Sequence, residues 1–163
     1  MSKYDADIHC WSGLLSGDKY NWQEGLRIIC QRIGNAQFHS SMSGYGDWDK
    51  VAARAIKRKP KSLLLIGHSN GGYAITKIAD ALAPYDIDCQ LICFDRTLKP
   101  CPTLKHNVSR AIDIWAGLRT MYRAPSFKGY YKKYDFSKES HISVIGNKQA
   151  QDIAVEFAKK GGF

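Results

Sequence analysis

The residues best suited to chemistry lie in one short stretch, Gly67-His68-Ser69-Asn70-Gly71-Gly72, directly after the apolar run Leu63-Leu64-Leu65-Ile66. Gly67-x-Ser69-x-Gly71 between a strand and a helix is the setting in which a serine serves as a nucleophile. On so sharp a turn the serine backbone is strained, and the flanking glycines let strand and helix approach closely. The hydroxyl is then lifted out at the carboxyl edge of the sheet, where parallel folds bind ligands. The backbone N–H of Asn70, at the helix start, points to where an oxyanion would form. The bland alternative is a tight turn with no chemistry.

A serine hydroxyl is a weak nucleophile until a base removes its proton. There are five histidines: His9, His39, His68, His106 and His141. His9 and His39 fall within or near expected strands, and His68 adjoins the serine with its ring directed into the surroundings of the turn. His141 lies in a loop, Ser140-His141-Ile142-Ser143, just before the last helical pattern, and is the favoured base. An acid must then orient the imidazole and stabilise its charged form. Asp95 ends the apolar run Leu91-Ile92-Cys93-Phe94 and so belongs on the same sheet edge as Ser69. Asp135 is its competitor because it is nearer His141 in sequence, whereas Asp113 falls deep within an expected strand.

The motif and its surroundings resemble the α/β-hydrolase superfamily, in particular its small lipase-, esterase- and thioesterase-like members. The resemblance rests on Gly67-His68-Ser69-Asn70-Gly71-Gly72, on the chain order Ser69, Asp95, His141, and on Phe94-Asp95-Arg96 followed by Pro100 and Asn107-Val108. It implies a minimal version of that fold with about five mostly parallel strands, helices on both faces, no large cap and no counterpart of the full fold's first two strands. It also implies ester or thioester hydrolysis through an acyl-enzyme, with no metal or organic cofactor. His141 occupies the place where that superfamily keeps its catalytic histidine. By the same similarity, a second oxyanion donor comes from the loop Cys10-Trp11-Ser12-Gly13-Leu14, at the backbone N–H of Trp11 or Ser12; these residues depart from the His-Gly that usually opens that loop. A rival reading is a catalytically silent module on the same scaffold that holds an anionic partner.

The elements that must position these groups alternate along the chain, as in α/β layers. Ala6 to Trp11 reads as a strand, and Asn21 opens a helix with Glu24 as its capping partner. Gly34 ends that helix, and Ala36 to Met42 follows as a weaker strand. Asp47 caps a second helix that Pro60 stops. Ser62 to Ile66 is a continuous apolar run, as expected of a central parallel strand covered on both faces. A helix over about Gly72 to Ala83, strands at Cys89 to Phe94 and Val108 to Trp115, and a final helix capped by Asn147 complete the pattern. Residues 116–140 have no clean period and could fold over the site as a flap or lid.

The 163 residues suit one domain, 1–163, and carry a formal charge of +9. That basicity is local. Residues 96–138 hold ten cations and two acids, so this stretch alone supplies +8. Its position between Asp95 and His141 predicts a cationic rim that concentrates an anionic ester or thioester at the site. Lys128-Gly129-Tyr130-Tyr131-Lys132-Lys133-Tyr134 interleaves cations and aromatics in the manner of single-strand grooves, but with no nucleic-acid motif of defined fold that reading is secondary. Five cysteines (Cys10, Cys30, Cys89, Cys93 and Cys101) show no zinc spacing, and three of them sit in apolar segments. Free thiols in a reducing compartment are the simplest expectation, with one bridge, involving Cys101, as the exception. No apolar run is long enough to span a bilayer and the start lacks a signal-peptide core, which predicts a cytoplasmic protein.

Overall fold

Each of the four residues Leu63, Leu64, Leu65 and Ile66 is fully buried, which requires apolar cover on both sides of the strand that carries them. The computed structural model supplies it. It describes residues 3–13, 23–40, 46–96, 103–117 and 129–163. Within these, the strands are β1 (Ile8–Trp11), β2 (Ala36–His39), β3 (Ser62–His68), β4 (Asp88–Phe94), β5 (Val108–Trp115) and β6 (Tyr130–Asp135). The helices are α1 (Glu24–Ile33), α2 (Trp48–Arg58), α3 (Asn70–Leu82) and α4 (Lys148–Lys160). The strands form one six-stranded sheet in the order β2-β1-β3-β4-β5-β6, and every pairing is parallel.

Strand alternation divides β3 between two cores. Leu63 and Leu65 pack with Val51, Ala52 and Ala55 of α2 and with Ala74, Ile75 and Ile78 of α3. Leu64 and Ile66 face the other way, onto Leu26 and Ile29 of α1 and Ala150, Ala154 and Phe157 of α4. The result is a three-layer α/β fold with no large cap among the described residues. Each buried leucine or isoleucine contributes about 1.5–3 kcal/mol of transfer free energy, so the sheet's central strands dominate the stabilisation.

The strand order fixes where a site belongs. From β1 the chain steps outward to β2, then returns across β1 to β3 and continues in the opposite direction to β6. The carboxyl ends of β1 and β3 therefore flank the switch point, the crevice at which open parallel sheets bind ligands.

Several expectations change in detail. β6 was not anticipated: it is an edge strand, mostly solvated, so no apolar run marks it. Only Tyr131 and Tyr134 pack against the cores. Asp47 precedes α2 with φ 65° and forms no side-chain cap; its carboxylate pairs with Lys50 at 2.8 Å. Asn147 does cap α4, accepting from the Ala150 N–H at 3.1 Å. Asn21 lies outside the described residues, and α1 begins without a side-chain cap at Gln23. The cysteines also depart from expectation. Cys10 of β1 and Cys30 of α1 form a disulfide across one face of the sheet, while Cys89 and Cys93 are buried and outside that bond. Cys101 lies outside the described residues. No described helix is long and apolar enough to cross a membrane.

Candidate active site

Ser69 follows the last residue of β3 and is the first non-helical position before α3, with φ 56° and ψ −122°. Positive φ occurs at other non-glycine residues, but Asp47, Lys59 and Asp86 have the ψ of the ordinary left-handed region. Ser69 does not, and a backbone in such a sparse region costs on the order of 1–3 kcal/mol. The turn is held from both sides. The Ser69 N–H donates to the Phe94 carbonyl at 3.0 Å, and the Gly72 N–H donates to the Ser69 carbonyl at 3.0 Å. The glycines are needed for close approach: a Cβ on Gly67 would lie 2.4 Å from the Gly71 carbonyl carbon, and one on Gly71 would lie 2.3 Å from the Trp11 carbonyl oxygen.

Asp95 follows β4 as Ser69 follows β3. Its N–H donates to the Ile114 carbonyl at 2.8 Å, and its backbone also has positive φ, 38°. Its carboxylate is buried and bonded at both oxygens. Oδ1 accepts from the Ala116 N–H at 2.7 Å, and Oδ2 accepts from His141 Nδ1 at 2.8 Å. A carboxylate can only accept, so His141 carries its proton on Nδ1 and leaves Nε2 bare. The Asp95 side chain is fully buried, whereas 28% of the His141 side chain is exposed. An oriented imidazole with an accessible lone pair is what a general base requires.

His141 reaches this position from a loop knotted by its own side chains. The Glu139 carboxylate accepts from Ser143 Oγ at 2.6 Å and from Asn147 Nδ2 at 2.7 Å, and Ser143 N–H donates to Ser140 Oγ at 3.0 Å. Those bonds hold the Glu139 carboxyl below its usual range. From the other side, His68 Nε2 donates to the His141 carbonyl at 2.7 Å, and the two rings stack with centroids 4.7 Å apart.

The structure thus brings Asp95 and His141 into contact at the sheet edge that carries Ser69. It does not join Ser69 to His141 by a hydrogen bond; among the described residues the Ser69 hydroxyl forms none. Asp135 is exposed at the end of β6 and accepts from the Ser137 N–H at 2.7 Å, so it is not the partner of His141. Asp113 is buried in β5 and accepts from the Tyr131 hydroxyl at 2.6 Å. His9 Nδ1 and His39 Nε2 face one another at 2.9 Å in the interior, and burial pushes His9 down to about 4. His106 pairs with Asp86 at the amino edge of the sheet.

The oxyanion side needs a correction. Asn70 begins α3, where first-turn N–H groups have no acceptor within the helix. Trp11 is the last residue of β1, flanked by β2 and β3. The Ser12 N–H donates to the His39 carbonyl at 3.2 Å, so the ladder with β2 continues one residue beyond β1 and engages the amide expected to face Ser69. The residue that does abut the serine is Gly13. A Cβ there would stand 2.7 Å from Ser69 Cβ and 3.1 Å from Ser69 Oγ. The Gly13 amide forms no hydrogen bond among the described residues. The available signal was a glycine two residues after β1, the strand that neighbours β3 and ends beside Ser69.

The described cations of the basic stretch are dispersed, and Lys138 is exposed in the loop that leads to His141. Arg96 is fully buried, Arg110 donates to Gln90 and to the Phe157 carbonyl, and Lys105 pairs with Asp80 near the amino edge. Lys132 and Lys133 lie exposed on β6. Lys99, Arg119, Arg123 and Lys128 fall outside the described residues, as does most of the expected lid. Among the described residues no group of three or more histidine, cysteine or acidic side chains could hold a metal ion. No family model matches the chain, and no curated protein matches it in sequence.

Proposed function

We propose that this chain is a serine hydrolase of the α/β-hydrolase type, cleaving a carboxylic ester or thioester. The observation that carries the reading is the hydrogen-bonded pair Asp95–His141, formed across 46 residues of sequence at the sheet edge where Ser69 occupies its strained turn. Ser69 Oγ attacks the acyl carbonyl as His141 Nε2 takes its proton, and Asp95 stabilises the resulting imidazolium. The tetrahedral oxyanion is received by the N–H groups of Asn70 and Gly13. Collapse transfers the proton from His141 to the departing oxygen or sulfur and leaves acyl-Ser69. Water, deprotonated by the same imidazole, then attacks the acyl carbon, and the proton returns to Ser69 as the acid departs.

The test is labelling with a fluorophosphonate, which phosphonylates only activated serines. One adduct on Ser69 is expected, with none on Ser69→Ala, together with turnover of short acyl esters or thioesters. An unlabelled chain beside a known serine hydrolase that labels in the same tube would leave the scaffold as a binding module.

A further inference from the structure

We propose that His68 is a positioning residue for the base: its imidazole N–H holds the His141 carbonyl so that the His141 ring stays seated on Asp95. The inference rests on the catalytic reading above and goes beyond it, because that mechanism needs nothing from His68.

A carbonyl only accepts, so the 2.7 Å contact fixes the His68 proton on Nε2 and leaves Nδ1 as a bare acceptor. His68 is the last residue of β3 and sits in register with Phe94, the residue before Asp95. His141 is therefore gripped at two points from adjacent strand ends, its ring by Asp95 after β4 and its backbone by His68 on β3. The end of β5 closes the seat, since a Cβ on Gly117 would lie 3.0 Å from the His141 nitrogen. The opposite edge of the His68 ring faces the oxyanion loop, where a Gly13 Cβ would stand 3.5 Å from Nδ1. One side chain thus lies between the loop that carries the base and the loop beside the nucleophile.

Neutrality suits this role. Burial, with His141 beside it, pushes His68 down to about 4, so the ring is uncharged across neutral pH. A cation stacked 4.7 Å from His141 would oppose the imidazolium that must form there.

Glutamine and asparagine separate the role from simple core filling. The amide of His68→Gln reaches about as far as Nε2, whereas that of His68→Asn stops at the level of Nδ1. Expected for Gln is retention of most of the wild-type kcat. Expected for Asn is a fall in kcat and in fluorophosphonate labelling rate of about 100-fold, the scale of a base displaced by about 1 Å. KM should change little, and the low-field His141 Nδ1 proton resonance should be lost in Asn but kept in Gln. Urea midpoints report stability separately, so activities are compared on folded protein. Equal kcat values for Gln and Asn, or an unchanged His141 resonance in Asn, overturn the positioning role while leaving the hydrolase reading intact. A wild-type chain that does not label overturns both.

Discussion

Replacing Asp95 by asparagine tests the site with little change of shape. Asp95 meets a donor at each oxygen, the Ala116 N–H at 2.7 Å and His141 Nδ1–H at 2.8 Å. Asparagine offers one acceptor and one donor group, so it can satisfy only one of them. The Ala116 N–H belongs to the backbone and has no alternative tautomer. Turning the amide nitrogen toward it leaves a buried N–H unsatisfied, at a cost of about 1–3 kcal/mol. The asparagine oxygen therefore takes the Ala116 side and its NH2 faces His141. His141 then accepts at Nδ1 and carries its proton on Nε2, the atom that takes the proton from Ser69 in the proposed mechanism. The same exchange of carboxylate for amide in a serine protease lowers kcat by about 10⁴-fold, about 5.4 kcal/mol of transition-state stabilisation. The assay is kcat for a short acyl ester, with labelling rate as a second measure and the urea midpoint to confirm folding. Asp135→Asn is the control and should lose little, because Asp135 is exposed and His141 Nδ1 is bonded to Asp95, not to Asp135. An Asp95→Asn enzyme with near wild-type kcat, or equal losses in both variants, would refute the argument.

Two further outcomes follow from the same geometry. Gly71→Ala places a Cβ 2.3 Å from the Trp11 carbonyl oxygen, which forces β1 and the turn apart, so the urea midpoint should fall by an amount equivalent to about 1–3 kcal/mol; an unchanged midpoint would mean that the two elements are not packed as described. His9 and His68 are both held at about 4 by burial, below the ordinary histidine value of 6.5, so the unfolded chain binds more protons than the native one between these values. Stability from the two is complete above pH 6.5 and is lost as pH falls toward 4, by up to about 3 kcal/mol each. Chemical denaturation from pH 7 to 4 should show that decline, and His9→Gln should make it shallower; a flat profile would contradict the burial.

The parts of the fold that were legible are those where local pattern and tertiary demand coincide. Leu63 to Ile66 is apolar at every position because both faces are covered, so it reads as a central strand without ambiguity. Ser69 was legible because glycines stand where β1 and α3 press on the turn. Asp95 was legible as a polar residue ending an apolar run. What was not legible depends on pairings the sequence does not display. β6 lies at the edge with solvated lysines and so lacks periodic apolar spacing. Cys10 and Cys30 meet only because α1 packs on β1. That the Ser12 amide is engaged was not legible either, because its hydrogen bond to His39 carries the ladder past the apparent strand end, and in a strand one residue of register reverses which way each group faces.

Part of the local charge has a place in the fold away from the candidate site. A stretch carrying most of the net charge was expected to surround the site because it lies between Asp95 and His141 in sequence. In a parallel sheet, however, two positions adjacent in space at the carboxyl edge are connected through a chain that must travel to the amino edge and back. Lys105 and Arg110 occupy that return path, near the amino side, and Arg96 is inside the protein. Lys132 and Lys133 then fall on the outermost strand, each over a tyrosine ring of the same strand. Lysines on an edge strand discourage pairing with another chain, because the approaching strand would have to desolvate them. Lys132 and Lys133 thus discourage added pairing at β6, and of the described cations in this stretch Lys138, exposed in the loop before His141, is the one left to meet an anionic ester.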